Sequence, residues 1–236
     1  MRSSCRTPSP PASAVGHQVS GASDRPRIAD QAGGHPVESS TDVFQGRVWD
    51  VVTQTVRLPS GERVVRDIVE HPSAVGVVAM DEDERILVVH QYRHAAAATL
   101  WELPAGLLDV AGEDPLVTAG RELWEETHHV ADEWAVLADF LSSPGFCDEA
   151  IRIYMARGVR TAEGEAHPRH GEERDMPVAW VPLDEVVTGV LRGDLHNPTL
   201  VVGALAAAAA RATGWSSLRD ARSPWPFGPR SLRTGN

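Results

Sequence analysis

Four glutamates within one short stretch are the residues of this chain best placed to do chemistry. In GLLDVAGEDPLVTAGRELWEETHH, Gly106 to His129, Glu122 and Glu126 stand four apart, Glu125 lies beside them and Glu113 precedes them. Side chains three and four apart share a helix face, where like charges cost about 0.2–0.5 kcal/mol per pair. Arg121 is the only nearby side chain that offsets this. A hard divalent ion such as Mg²⁺ or Mn²⁺ takes oxygen ligands, usually one or two carboxylates with substrate phosphates, and suits the cluster better than zinc. Taken alone, an acidic run of this kind is a solvated helix face. The residues around it decide between the two readings.

A helix must carry these carboxylates, and its start is legible. Asp114 is an N-cap and Pro115 fits the first helical position, where no intrahelical N–H is needed. The helix is predicted to run to about Thr127, with Leu116, Ala119 and Leu123 as its buried stripe. Upstream, the run from Val43 to Val69 is rich in β-branched residues and turns at Pro59, Ser60 and Gly61, which predicts a hairpin. Ala74 to Met80 and Arg85 to Tyr92 flank the polar turn Asp81 to Glu84 and read as a second hairpin, apolar enough to be buried on both faces. Trp101 to Gly106 then leads into the acidic helix.

Downstream, Trp134 to Leu141 and Ala150 to Ala156 read as strands separated by SSPGFCDE, with a turn at Pro144 and Gly145. Met176 to Val181 is a further strand, followed by a helix from about Leu183 to Leu191 that stops at Gly193. Asn197 and Pro198 cap a last helix through about Ala212, with Gly214 as its stop. Its alanine-rich face predicts close packing on a sheet. The apolar run is too short to span a membrane and ends in Arg211.

Composition narrows the function classes. Residues 1–40 are rich in Ser, Pro, Ala and Gly, hold almost no large apolar side chains, and are expected to form a disordered tail without a secretory signal. Residues 41–214 form one domain, and 215–236 a second tail whose Trp215, Trp225 and Phe227 are candidates for folding back on the domain or on a partner; packing and disorder are both open for it. The formal charge of -11 argues against non-specific nucleic-acid binding. All 22 basic residues are arginine, so no Arg is singled out merely for not being Lys. Cys5 and Cys147 form no disulfide framework or metal pattern, and a reducing, cytoplasmic setting is expected.

The stretch resembles the Nudix box: a glycine, a glutamate, then Arg-Glu-apolar-x-Glu-Glu-x-Gly-apolar. Here these are Gly106, Glu113, Arg121, Glu122, Leu123, Glu125 and Glu126, and the seven residues between Glu113 and Arg121 match the family spacing. Two positions depart from it. The gap from Gly106 to Glu113 is one residue longer than usual, and His128 and His129 replace the closing glycine and apolar residue. A glycine just past a helix commonly takes positive φ, which His adopts less easily. These adjacent histidines lack a third ligand for zinc and read as helix-end residues.

The resemblance implies an α/β fold, the Nudix α/β/α sandwich with a mixed central sheet, and metal-dependent hydrolysis of a nucleoside diphosphate derivative with Mg²⁺ or Mn²⁺. By the same resemblance Glu122 and Glu126 ligate metal, with Glu125 and the backbone carbonyl of Ala105, while Arg121 pairs with Glu113 in a structural role beside Gly106. The flanks, HQYRHAAAATLWELPAGLLD, SSPGF and GEERDM, resemble the ADP-ribose pyrophosphatase branch, in which Pro144 matches a marker proline sixteen residues beyond the box-glycine position. In that branch Arg93 is placed like a phosphate-binding arginine, Arg66 and Glu149 resemble substrate contacts, and Glu173 or Glu172 in the late loop is the catalytic base, with the box-helix glutamate Glu125 as the alternative. The branch implies a homodimer whose N-terminal hairpin helps build the adenine pocket, where Phe44 or Trp49 would stack; read from the residues alone, both are hairpin core. ADP-ribose is the expected small-molecule substrate, another nucleotide sugar or a dinucleotide the alternative, and a non-catalytic nucleotide sensor a third reading. No nucleic-acid or membrane partner is expected.

Overall fold

The computed structural model describes residues 28–169 and 174–229. Contacts divide the chain into two units, residues 1–33 and 34–236, and the described part of the first, 28–33, contains no helix or strand. Everything below concerns the second unit.

Three strands open it: β1 (Val37–Gln45), β2 (Asp50–Arg57) and β3 (Arg63–Glu70), an antiparallel sheet in that order. Next come β4 (Ala74–Ala79), β5 (Arg85–Arg93), β6 (Ala98–Glu102) and β7 (Ala105–Leu107), which leads into helix α1 (Pro115–Thr127). Beyond α1 lie β8 (His129–Val130), β9 (Glu133–Leu141), β10 (Ala150–Arg157), β11 (Arg160–Thr161) and β12 (Val178–Pro182). Helices α2 (Leu183–Arg192) and α3 (Pro198–Ala212) and the short β13 (Arg219–Asp220) complete the chain.

The central sheet is mixed, in the order β13-β9-β10-β4-β7, with β10 and β4 parallel and the other pairs antiparallel. Period-two alternation along β4 sends its side chains to opposite faces. Val75, Val77 and Ala79 pack with Ala119 and Leu123 of α1. Val78 packs on the other side with Leu183 and Val186 of α2 and with Leu200, Ala204 and Ala207 of α3. Residues of β10 divide the same way, Tyr154 and Ala156 toward α1, Ile153 and Met155 toward α3. Helices therefore cover both faces of a mixed sheet, the expected α/β/α sandwich. The alanines of α3 allow its backbone to lie close to the strands, as its alanine content predicted.

The second expected hairpin does not form. β4 and β5 follow one another in sequence but join different sheets: β5 lies between β12 and β6, and its link to the β4 side is a single bridge from Met80 to Ile86. Both edges of β4 are taken by β10 and β7, so a neighbour 77 residues away in sequence, as measured at the bond from Ala150 N–H to Ser73 Oγ, displaces the adjacent one. The apolar run correctly indicated burial on both faces and not the pairing.

Phe44 and Trp49 are likewise not hairpin core. Among the described residues no layer covers β1, every residue of which is exposed, and the two rings stand 52% and 44% exposed with centroids 5.8 Å apart.

Candidate active site

Helix α1 begins as its sequence dictates. The Asp114 carboxylate accepts from the Leu116 N–H at 2.9 Å, Pro115 occupies the first turn, and Leu123, fully buried, anchors the inner face. Burial of such a leucine contributes about 1.5–3 kcal/mol, enough to fix which way the opposite face points. His128 ends the helix in the left-handed region at φ 58°, so the histidine adopts the conformation that the expected glycine would supply.

Arg121 gathers the carboxylates. Its Nε and Nη2 donate to the two oxygens of Glu113 at 3.2 and 3.0 Å, and its Nη1 donates to Glu122 at 2.7 Å and Glu125 at 3.1 Å. Thr118 Oγ1 also donates to Glu113, at 2.8 Å. The guanidinium's hydrogen bonds hold the Glu113 carboxyl below the usual carboxylate range, aided by Thr118 and opposed by partial burial. The same bonds raise Arg121 above its ordinary value. Glu126 is only 5% exposed, and its Oε2 accepts from the Ala105 N–H at 3.1 Å, tying α1 to the end of β7. In this structure Ala105 therefore meets the cluster through its amide. The Glu126 carbonyl in turn accepts from Arg169 Nη1 at 3.3 Å.

Gly106 explains why the box begins with glycine. A Cβ there would lie 2.1 Å from Cδ and Oε1 of Glu122, so any side chain would displace that carboxylate, which now lies directly against the strand backbone. The cradle orients Glu122, and Arg121 holds it.

Among the described residues no three His, Cys, Asp or Glu side chains stand together in an arrangement that would hold a metal ion. The donor chemistry nonetheless fits a hard cation. Three carboxylates, Glu113, Glu122 and Glu125, share one guanidinium, Glu126 is held by the Ala105 amide, and all the ligating atoms the four offer are oxygens.

One cavity borders the loop that follows Gly106, and a second adjoins that cavity at Asp148. The first, of about 520 Å³, is bordered by Leu107, Leu108 and Asp109 just after Gly106, by Arg47, Asp50 and His71 across from them, and by Asp148. The other, of about 400 Å³, also touches Asp148 and contains Arg66, Pro144, Phe146, Cys147 and Phe227. The loop between β9 and β10 reaches these cavities because it is pinned to the end of β3. Val69 N–H donates to the Phe146 carbonyl at 2.8 Å, Asp148 N–H to the Val69 carbonyl at 3.1 Å, and His71 N–H to the Asp148 carboxylate at 2.8 Å.

The structure thus brings Gly106, Glu113, Arg121, Glu122, Glu125, Glu126 and Ala105 together, and brings Arg66 and Pro144 together in the second cavity. Arg93 lines neither cavity: its fork is bound bidentately to the buried Glu102, at 2.9 and 2.6 Å. Glu149 lies 3.4 Å from His71 Nδ1, a nitrogen that already accepts from the Ser73 N–H at 3.1 Å. Burial pushes the Cys147 thiol up, consistent with a packing role. Glu172 and Glu173 lie outside the described residues. Asp148, His71 and Phe227 were not singled out for the site by sequence; only the pinned loop and the returning C-terminal segment place them there.

The NUDIX domain family model matches residues 70–200. An ADP-ribose pyrophosphatase of Mycobacterium tuberculosis (strain ATCC 25618 / H37Rv) is 44% identical over 187 residues, 79% of this chain and 89% of that protein. A methanol dehydrogenase activator of Bacillus methanolicus is 44% identical over 68% of this chain and 85% of its own length, and an ADP-ribose pyrophosphatase of Bacillus subtilis (strain 168) 40% identical over 66% and 82%. Among solved structures, an ADP compounds hydrolase superposes with a TM-score of 0.63 at 19% identity, over 79% of this chain and 99% of that one, a likeness of fold.

The Glu113–Arg121 pair makes a prediction about acid. A carboxyl whose folded-state pKa is depressed contributes stability that is full above the unfolded value, here the ordinary 4.5, and is lost as pH falls through the folded-state value. Urea unfolding followed between pH 7 and 3 is expected to show a shallower acid decline for Glu113→Gln than for the wild type. Equal slopes would mean that the pair does not differ between folded and unfolded states.

Proposed function

Because the chain belongs to the Nudix family and is a pyrophosphohydrolase of it, we propose that it cleaves ADP-ribose to AMP and ribose 5-phosphate. The observation that carries this reading is the intact carboxylate set on α1, gathered by Arg121 and seated against Gly106, in a chain that matches ADP-ribose pyrophosphatases over most of their length.

Hydrolysis requires water to attack phosphorus while negative charge gathers on the phosphoryl and leaving oxygens. Glu122 and Glu126 would hold a divalent cation, Mg²⁺ or Mn²⁺, with help from Glu125 and the Ala105 carbonyl. When bound, such an ion neutralises phosphoryl charge and orients the diphosphate. The chain's own residues do the rest. Arg121 keeps Glu122 and Glu125 on one side of α1 by occupying the space between them and Glu113, and its planar fork does so with fixed geometry. The Ala105 amide holds one oxygen of Glu126. Arg66, beside the cavity that also contains Pro144, supplies a cation for a substrate phosphate. Arg93 could do the same only by exchanging its bond to Glu102, and Glu149 lies one residue from the shared Asp148 as a further substrate contact. Glu173, or its neighbour Glu172, takes the proton from the attacking water, with Glu125 as the box-helix alternative.

A second copy completes the assembly in this reading. Val37, Val43, Phe44 and Val65 of the N-terminal sheet are each at least half exposed, with Trp49 beside them, an apolar surface that a homodimer would cover. Among the described residues no helix is long and apolar enough to cross a membrane.

Three measurements test the proposal. Purified protein with Mg²⁺ is expected to release AMP and ribose 5-phosphate from ADP-ribose in preference to ADP-glucose, NADH and GDP-mannose, and Glu126→Gln to abolish this while leaving the thermal unfolding transition in place; preference for another substrate would discard the ADP-ribose reading, and retained turnover with unchanged metal dependence would discard the ligand assignment. Glu173→Gln or Glu172→Gln is expected to lower kcat by at least about a hundredfold; if neither does, the base lies elsewhere. Light scattering is expected to give twice the chain mass for the wild type and a smaller mass for Phe44→Asp. A monomeric wild type would remove the dimer.

A further inference from the structure

The C-terminal segment, residues 213–229, lies beyond the residues that the family model matches, and nothing described so far gives it a task. It is nevertheless tied to the domain at several points. β13 pairs with β9. Arg152, 3% exposed on β10, binds Asp139 with two nitrogens at 2.8 and 3.0 Å and donates two further bonds to the carbonyls of Ser223 at 2.8 Å and Pro224 at 3.1 Å. The Trp225 ring covers the same guanidinium, 4.7 Å from Cζ to centroid. Arg222 pairs with Asp114, the residue that caps α1. A buried guanidinium that spends its donors on a passing backbone fixes that backbone, because losing the contact would leave a desolvated cation unsatisfied.

The segment then delivers Phe227 to the second cavity. The sequence PWPFGP limits the backbone on either side of the ring through three prolines, so little conformational freedom is lost in placing it there. Gly228 lets the chain cross Trp225: a Cβ at 228 would meet the indole at 2.8 Å. The cavity's lining then includes two aromatic residues, Phe146 and Phe227, together with Arg66 and Asp148. Its neighbour, which shares Asp148 and borders the loop after Gly106, is closed in part by Pro229 of the same segment. Aromatic faces beside one cation and one hydrogen-bond acceptor match the chemistry of a nucleobase, which has two flat apolar faces and a polar edge, attached to a phosphate.

We propose that Phe227 is a specificity-determining residue of this enzyme, carried by a C-terminal strap and packing against the base of the nucleotide. The assignment rests on the hydrolase reading above for the identity of the substrate. It says nothing about how the bond is cleaved and predicts an effect on binding.

The experiment compares the full-length wild type with Phe227→Ala, Phe227→Leu and Phe227→Trp. Calorimetry measures the affinities of AMP and of ribose 5-phosphate, which carries no base, and ADP-ribose kinetics separate KM from kcat. The leucine variant keeps an apolar side chain of similar size, so it stays informative if the alanine variant fails to fold. The expected result is a loss of AMP affinity and a rise in KM of about tenfold for Ala and Leu, the range of one base–aromatic contact. Affinity for ribose 5-phosphate and kcat stay near wild type, and Trp restores AMP binding. Equal AMP affinity in all four proteins overturns the proposal, as does an equal loss of AMP and ribose 5-phosphate. If the wild type fails to cleave ADP-ribose while AMP binding still depends on Phe227, the substrate reading falls and the role of the strap stands.

Discussion

The site depends on one guanidinium. Arg121 touches Glu113, Glu122 and Glu125 at once, and without it three carboxylates would face one another in a partly buried space. Each contact is modest; at this exposure a salt bridge is worth about 0–1 kcal/mol. What the fork provides is position. It sets Glu122 against the backbone at Gly106, where a side chain would push that carboxylate aside, and leaves Glu126 to the amide of Ala105. Lysine would bring the charge without the planar fork, which explains why a point cation is a poor substitute here.

That arrangement has two supports outside α1. On one side the helix is bolted to the central sheet by Ala119 and Leu123 packing on Val75, Val77 and Ala79. At its N-terminus Asp114 does two jobs, capping the Leu116 amide and pairing with Arg222 of the returning C-terminal segment. The carboxylate face, the sheet and the strap are therefore mechanically connected, although the strap lies about a hundred residues away in sequence at that contact.

Most of the carboxylate cluster was legible in the sequence because its signals are local. The Asp-Pro start, the four-residue spacing of Glu122 and Glu126 and the Leu116–Ala119–Leu123 stripe all operate within a turn or two of helix. The strand runs of β4, β5, β9, β10 and β12 were legible for the same reason, and their pairing was not. Apolar runs specify burial, while partners are selected across the whole chain, which is how Ala74 to Met80 and Arg85 to Tyr92 could read as a hairpin and fold into separate sheets. Phe44 and Trp49 misled in a related way: an alternating pattern implies a covered face, and nothing within this chain's described residues covers β1. Arg93 carried a plausible signal, yet the carboxylate that takes its fork, Glu102, is brought to it by the pairing of β5 with β6.

The parallel pairing of β4 with β10 also has a bearing on how the chain comes to be folded. Ala74 lies opposite Ile151, and Ala79 opposite Ala156, so β4, buried along nearly its whole length, acquires that neighbour only after the chain has been extended through β10. During synthesis the hairpin of β2 and β3 can close early, whereas Val75, Val77 and Val78 must remain without their final cover while α1 and β9 are still being made. Non-local contacts of this kind slow the search for the native state and prolong the exposure of apolar strand to other chains. The same register that seats the carboxylate helix on a rigid sheet thus makes this segment the one with most to gain from a chaperone at the ribosome.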